Sequence, residues 1–208
     1  MQIAPSAVIF DYGNVLSQEQ PVADKRAMAA ILDLPLERFT ELYWKFRVPY
    51  DAAKLTPAGY WKTVADGVPE EQLDALIQID SRSWGHAAPG VAEWARGLHG
   101  AGMKTAILSN MPVPVRDYVI ECSWLPEFHA RTFSCDVGVC KPEREMYDAV
   151  LEELGARPEQ VLFLDDRESN IRAAEALGLH AVLFKESANA AIEIERRFAL
   201  PVTLSNLL

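Results

Sequence analysis

Short apolar runs that alternate with amphipathic helical patterns constrain the fold of this chain more than any other feature. Four apolar runs predict buried parallel strands, at 7–10, 105–109, 161–164 and 181–184. A fifth, weaker run of the same character lies at 130–134. Helical patterns lie between them, at 90–102, 143–155 and 168–178. This alternation predicts an α/β fold with a doubly wound, Rossmann-like parallel sheet.

Residues 18–88 break the alternation, because they show helical patterns only. Pro21, Pro57 and Pro69 stand where three of these helices would begin, a position that tolerates proline. We therefore expect a small all-helical cap inserted after the first strand. The expected division is a core domain of residues 1–17 and 89–208 and a helical cap of residues 18–88.

Charge and cysteine content exclude several classes of partner. The net charge of −10 argues against nucleic acid and against an anionic membrane surface. The N-terminus lacks the basic start and apolar core of a signal peptide, and no apolar run approaches the length of a membrane span.

Three cysteines, at 122, 135 and 140, cannot all pair internally. We expect reduced thiols and a cytoplasmic location.

Polar side chains follow the ends of the predicted strands, where ligands bind in doubly wound folds. These side chains are Asp11, Ser109, Asn110, Lys141, Asp165 and Asp166. Taken singly, each has an ordinary explanation as a turn, capping or loop residue. Two adjacent carboxylates repel each other unless a cation lies between them, and oxygen-only ligands suit Mg²⁺. Their joint occurrence in order along the chain is the stronger signal.

Four stretches of the sequence resemble the motifs of the haloacid dehalogenase (HAD) superfamily of phosphohydrolases: FDYGNVL, LSN, KPEREMY and DDRESNIRAAEALG. The chain is most similar to the branch that opens FD-x-GNV, which includes glucose-1-phosphate phosphatase. The resemblance implies the HAD fold and a Mg²⁺-dependent phosphatase of small phosphorylated metabolites of the sugar-phosphate type. It also implies a small-molecule substrate, no nucleic acid or membrane partner, and a monomer or homodimer.

The resemblance assigns catalytic roles to Asp11, Ser109 and Lys141. Asp11 would be the nucleophile and form an aspartyl-phosphate intermediate. Ser109 and the backbone N–H of Asn110 would donate hydrogen bonds to the phosphoryl oxygens, and Lys141 would neutralise both nucleophile and phosphate. A carboxylate attacks an anionic phosphate only when their repulsion is cancelled, so a cation on each side is physically reasonable.

The expected Mg²⁺ ligands are Asp11, the backbone carbonyl of Gly13 and Asp166. Asp165 would hold one of the water molecules bound to Mg²⁺. In the alternative arrangement Asp165 would bind the ion directly and Asp166 would hold the water. Most of the family has a second Asp where this chain has Gly13, and that residue acts as general acid and base. Its loss removes a contribution of typically ~10²–10⁴-fold in rate, which slows such an enzyme without abolishing it.

Without that acid, we expect rates to depend steeply on the basicity of the leaving oxygen, unless Asp51 or His86 supplies the proton. The sequence selects neither residue. Two alternative functions also remain open: a metal-free haloacid dehalogenase-type hydrolase, and a non-catalytic phosphate- or metal-binding module. Substrate choice is expected to lie with the cap, whose candidate groups are Arg47, Tyr50, Asp51, Lys54 and Trp61.

Overall fold

Five parallel strands form the sheet that the alternating pattern predicts. The computed structural model describes residues 2–208, and the strand order is β3-β2-β1-β4-β5. The strands are β1 (Ala7–Phe10), β2 (Lys104–Ser109), β3 (Ala130–Phe133), β4 (Val161–Asp165) and β5 (His180–Leu183). The predicted α/β fold class is thereby confirmed.

Strand β1 lies at the centre of the sheet and fixes the position of Asp11. Phe10 is paired with Ile107 of β2 on one side and with Leu164 of β4 on the other. Because all strands run in the same direction, their carboxyl ends meet at one edge of the sheet. Asp11 therefore emerges between Ser109 and Asp165.

Five helices occupy the segment between β1 and the next core helix: α1 (Val22–Ile31), α2 (Leu36–Lys45), α3 (Arg47–Asp51), α4 (Pro57–Val64) and α5 (Glu70–Ser83). They enclose an apolar cluster of their own, which includes Met28, Phe39, Trp61 and Leu76. The sequence predicts four of these helices but not the short α3. It separates from α2 because Phe46 leaves the helical conformation, with φ −106° and ψ 7°.

The two segments that connect these helices to the core, around residues 17 and 87, run side by side. Ser17 and Ala87 form an antiparallel bridge. On either side of it, Gln18 N–H donates to His86 O at 2.8 Å and Ala88 N–H donates to Leu16 O at 2.8 Å. We retain the proposed boundaries of the cap at 18 and 88, since both crossings lie beside them.

Six further helices pack on the two faces of the sheet: α6 (Val91–Gly100), α7 (Val113–Val119), α8 (Ser134–Val137), α9 (Arg144–Leu154), α10 (Glu168–Ala176) and α11 (Ser187–Arg197). Successive side chains of β1 point to opposite faces. Val8 and Phe10 join a core with α6, α7 and α11, whereas Ala7 and Ile9 join one with α9 and α10. Burial on both faces explains the continuous apolar runs. None of the helices within residues 2–208 has the length and hydropathy that a membrane span requires.

Candidate active site

The turn after β1 presents Asp11 at the edge of the sheet. Tyr12–Leu16 form one wide, π-type turn, closed by a 2.8 Å hydrogen bond from Ser17 N–H to Tyr12 O. Asp11 precedes it, and its Oδ1 accepts the N–H of Tyr12 at 2.7 Å. Asn14 has the left-handed φ of 60°, which asparagine tolerates. Gly13 has φ −65°, so the backbone here does not require glycine for its conformation.

Lys141 joins the carboxylates at the ends of β1 and β4. Its Nζ donates to Leu108 O at 2.6 Å and to Asp165 Oδ2 at 2.7 Å, and it lies 2.9 Å from Asp11 Oδ1. The side chain is buried. Burial alone lowers the pKa of Lys141, but the two carboxylates outweigh it and hold the pKa above its usual value. All three N–H bonds therefore have protein oxygens within reach, and Lys141 acts on a ligand chiefly through its charge.

The side chain of Asn110 holds the backbone of Lys141. Asn110 Oδ1 accepts the N–H of Lys141 at 2.7 Å, and Asn110 Nδ2 donates to Lys141 O at 3.0 Å. A ligand therefore cannot use this amide without disturbing Lys141, which leaves the backbone N–H of Asn110 as the group expected to contact phosphate. Ser109 differs, because its buried hydroxyl lines the cavity and no residue in the range 2–208 hydrogen-bonds it.

Asp165 is wholly buried and its two oxygens are fully engaged. Oδ1 accepts the N–H of Arg167 at 2.8 Å, and Asn170 Nδ2 lies 3.0 Å from both oxygens. With Lys141 on Oδ2, no acceptor position faces the cavity freely. The geometry assigns Asp165 the task of holding Lys141.

Asp166 is the more accessible of the two neighbouring acids, and it lines the cavity. Its Oδ2 accepts a hydrogen bond from Asn14 Nδ2 at 2.9 Å, which links the loop after β4 to the turn after β1. Single carboxylate oxygens of Asp11, Asp165 and Asp166 lie within 4.8 Å of one another. The cluster has three acids, and the ammonium group of Lys141 contacts only two of them, Asp11 and Asp165. A divalent cation with oxygen ligands therefore fits both the spacing and the charge.

Burial has a direct effect on the nucleophile candidate. It raises the pKa of Asp11 to about 7, against the lowering effect of Lys141 and together with the charge of Asp165. An additional cation beside Asp11 would favour its ionised form. A metal ion bound beside Asp11 would therefore favour the carboxylate form that a nucleophile needs.

A cavity of ≈ 270 Å³ lies between the sheet edge and the helical segment. Six predicted site residues line it: Asp11, Gly13, Ser109, Asn110, Lys141 and Asp166. Asp165 does not line it. The structure thus brings the predicted residues of four separate loops to one place.

The five cap residues proposed for substrate choice divide into two groups. Arg47 and Asp51 line the cavity. Tyr50 is buried against Tyr60, with ring centroids 4.2 Å apart, and Trp61 is wholly buried in the cap cluster. Lys54 is exposed and does not line the cavity. Only the first two are placed to contact a substrate.

Trp84 fills the space that a side chain at position 13 would need. A Cβ built on Gly13 would lie 3.2 Å from Cζ3 of the Trp84 ring. The ring is buried, and the carbonyl of Trp84 accepts a 2.8 Å hydrogen bond from Tyr12 Oη. The missing second carboxylate is therefore part of a packed arrangement.

The cavity residues that sequence reasoning missed include Asn14, Trp44, Trp84, Arg167 and Asn170. Asn14, Arg167 and Asn170 stand inside the quoted motifs, so their proximity to Asp11 and Asp166 was available as a signal. Trp44 and Trp84 carry no such signal, because aromatic residues on cap helices are ordinary packing groups. Arg167 lies over the Trp44 ring at 5.7 Å and adds a positive charge to the cavity wall.

Comparison with known proteins identifies similar sequences along most of the chain. The model of one family, described as "haloacid dehalogenase-like hydrolase", matches residues 5–178. Bifunctional epoxide hydrolase 2 of Rattus norvegicus is 35% identical over 107 residues, which cover 49% of this chain and 19% of that protein. A sesquiterpene phosphatase of Aspergillus oryzae is 24% identical over 195 residues, covering 91% of this chain and 95% of that protein.

Solved structures share the fold. An enzyme of the same family from Bacteroides thetaiotaomicron, crystallised with magnesium and inorganic phosphate, superposes with a TM-score of 0.66 at 20% identity. The superposition covers 87% of this chain and 93% of that one. At this identity the likeness concerns architecture.

Proposed function

We propose that this chain, which belongs to the haloacid dehalogenase-like hydrolase family, is a Mg²⁺-dependent phosphatase of small phosphorylated metabolites. One observation carries the proposal: Asp11, with its charge offset by Lys141 at 2.9 Å, lines a small cavity together with Asp166 and the free hydroxyl of Ser109. A nucleophile, a cation, a hydroxyl donor and a second acid are the groups that transfer of a phosphoryl group to a carboxylate needs.

In this proposal Asp11 attacks phosphorus and forms an aspartyl-phosphate, which water then hydrolyses. Oδ1 of Asp11 is engaged by Lys141 and by Tyr12 N–H, so Oδ2 is the oxygen left for the reaction or for a metal. Ser109 and the backbone N–H of Asn110 donate to the phosphoryl oxygens. Lys141 offsets negative charge without giving up its hydrogen bonds to Leu108 and Asp165.

Mg²⁺ would be held by Asp11, Asp166 and the carbonyl of Gly13, and when bound it supplies charge neutralisation between the carboxylate and the phosphate. Asp165 stays with Lys141 and reaches the ion at most through water. The magnesium-containing Bacteroides structure and the acid cluster in this chain support the assignment. The excess of carboxylates over ammonium also disfavours a metal-free dehalogenase reaction.

The size and lining of the cavity support the proposed substrate class. A volume of ≈ 270 Å³ suits a small ester, and the cap contributes both polar groups, Arg47 and Asp51, and the rings of Trp44 and Trp84. Such a surface fits a sugar phosphate, including a sugar 1-phosphate, by hydrogen bonding and ring stacking. We propose a cytoplasmic monomer or homodimer, and the three cysteines are free thiols.

Phosphate release from a panel of phosphorylated metabolites tests the proposal. Activity should require Mg²⁺, stop in EDTA and return when Mg²⁺ is restored. Asp11→Asn keeps the shape of the side chain and removes the attacking oxyanion, so activity should fall to background. Asp148→Asn, at an exposed position on α9, is the matched control and should keep full activity. Full activity of the Asp11 variant, or in EDTA, would refute the mechanism.

A further inference from the structure

We propose that Asp51 is the general acid and base of this site and replaces the carboxylate that Gly13 lacks. The inference rests on the proposed phosphatase function, because it concerns the protonation of the leaving oxygen. Asp51 lies in the cap, forty residues after Asp11, and nothing in its sequence context marks it. Its placement carries the argument.

Asp51 and Asp11 line the same cavity, Asp51 from helix α3 of the cap and Asp11 from the edge of the sheet. In phosphoryl transfer the attacking and leaving oxygens are roughly in line. A phosphate attacked by Asp11 therefore directs its ester oxygen toward the cap wall, where Asp51 stands.

One oxygen of Asp51 remains available for this task. Oδ1 accepts a hydrogen bond from Arg47 Nε at 2.8 Å, whereas Oδ2 has no hydrogen-bond partner among residues 2–208. Arg47 is itself fixed from the other side by Asp80, at 2.9 Å from its Nη1. The guanidinium thus orients the Asp51 carboxyl group and leaves one oxygen facing the ligand.

Helix α3 is bound to the core through a serine at the end of β3. Ser134 Oγ accepts the N–H of Met111 at 2.9 Å and donates to the carbonyl of Asp51 at 2.7 Å. Met111 directly follows Ser109 and Asn110. One hydroxyl therefore links the proposed phosphate-binding loop to the proposed acid.

Asp51 also has a protonation equilibrium suited to the role. Burial raises its pKa to about 6, and the neighbouring Arg47 limits the rise. An acid whose pKa lies near the working pH can both give and take a proton. The charged and titratable groups around it are Arg47, Tyr50, Tyr60, Asp80, Cys140 and Arg167. The other candidate, His86, is exposed and lies outside the cavity lining.

The two steps balance in atoms and charge. As Asp11 forms its bond to phosphorus and the ester P–O bond breaks, protonated Asp51 gives its proton to the departing oxygen, which leaves as an alcohol. Asp51, now a carboxylate, takes a proton from the water that attacks the phosphorus of the aspartyl-phosphate. Inorganic phosphate and the Asp11 carboxylate are released, and Asp51 is protonated again.

The test compares two leaving groups in two variants. Asp51→Asn keeps the acceptor for Arg47 but cannot transfer a proton. It should lower kcat/KM for glycerol 2-phosphate by about 10²–10⁴-fold, and for p-nitrophenyl phosphate, whose leaving group needs no proton, by less than tenfold. Asp80→Asn is the matched control, because it makes the same Asp-to-Asn change at the other carboxylate that pairs with Arg47, and Asp80 does not line the cavity. It should change both substrates by the same factor.

A measurement on the unmodified protein guards against a variant that does not fold. The ratio of kcat/KM for glycerol 2-phosphate to that for p-nitrophenyl phosphate should fall as pH rises through about 6, the pKa of Asp51, because the proton donor is lost. Enzyme ionisations that affect both substrates, including that of Asp11, cancel in the ratio. Each kcat/KM is first corrected for the fraction of that ester present as its dianion, because the alkyl and aryl esters differ in their second phosphate ionisation. A constant ratio, or an Asp51→Asn variant that loses both activities equally or neither, would overturn the role of Asp51 while leaving a phosphatase. Failure of the unmodified protein to hydrolyse either ester with Mg²⁺ would instead refute the proposed function.

Discussion

Adding a single carbon at Gly13 should destabilise the protein because of Trp84. The φ of −65° and ψ of 129° at Gly13 suit alanine, so the change Gly13→Ala would ordinarily stabilise by ~0.4–1 kcal/mol through the unfolded state. Here the new Cβ would lie 3.2 Å from the Trp84 ring, closer than the ~3.5–4.0 Å of an optimal carbon contact. Overpacking a buried site costs typically ~1–3 kcal/mol, so we expect a net loss of about 1 kcal/mol.

A double-mutant cycle isolates this contact. In a Trp84→Leu background the ring is gone, and Gly13→Ala should become neutral or stabilising, which gives a coupling free energy of about 1–2 kcal/mol. The free energy of unfolding is measured by urea denaturation in EDTA, so that metal binding does not contribute.

The matched control is Gly100→Ala at the end of α6, where an added Cβ meets no atom within 4 Å. It should stabilise by up to ~1 kcal/mol in both backgrounds. Should Gly13→Ala prove neutral or stabilising in the unmodified protein, with no coupling to residue 84, the explanation for the missing carboxylate would be wrong.

Two further predictions concern the lysine and its support. Lys141→Ala should lower kcat/KM at least 100-fold, the scale of a lost transition-state donor of ~2.7–4 kcal/mol. Steady-state kinetics on a folded variant checks this prediction. A loss under tenfold would mean that Lys141 has only a structural role. Asn110→Ala removes two hydrogen bonds to the Lys141 backbone, so it should lower the free energy of unfolding by about 1–3 kcal/mol together with kcat/KM. The exposed Asn206→Ala is its control, and equal stability of the two variants in urea would contradict the positioning role.

The strands of the sheet, and the edge of the sheet at which ligands bind, were predictable because both depend on local sequence patterns. Continuous apolar runs at 7–10 and 161–164 are typical of strands buried on both faces, and the residue that ends each run then has to lie at the ligand-binding edge. Helix α11 was missed because charged residues interrupt its apolar face, and packing on the sheet stabilises it.

The division of labour inside the site could not be predicted, since it depends on contacts between distant segments. Asp165 and Asp166 are adjacent and chemically identical, yet only the position of Lys141 and Asn170 shows that Asp165 is fully engaged. In the same way, the sequence suggests a positive φ as the reason for Gly13. The structure places that conformation at Asn14 and shows Trp84, seventy-one residues away, as the obstacle.

The hydrogen bond from Ser134 to the carbonyl of Asp51 also has a kinetic consequence. A substrate enters and its products leave only if helix α3 yields or the mouth beside Trp44 is wide enough, and lid motions of this kind occur on microsecond to millisecond timescales. A hydrogen bond of ~0.5–1.5 kcal/mol favours the closed arrangement only about two- to tenfold. An opening of helix α3 would break this hydrogen bond and carry Asp51 away from the ester oxygen as solvent enters. Exposure of the cavity to water and readiness of Asp51 to transfer a proton would then be mutually exclusive states of the molecule.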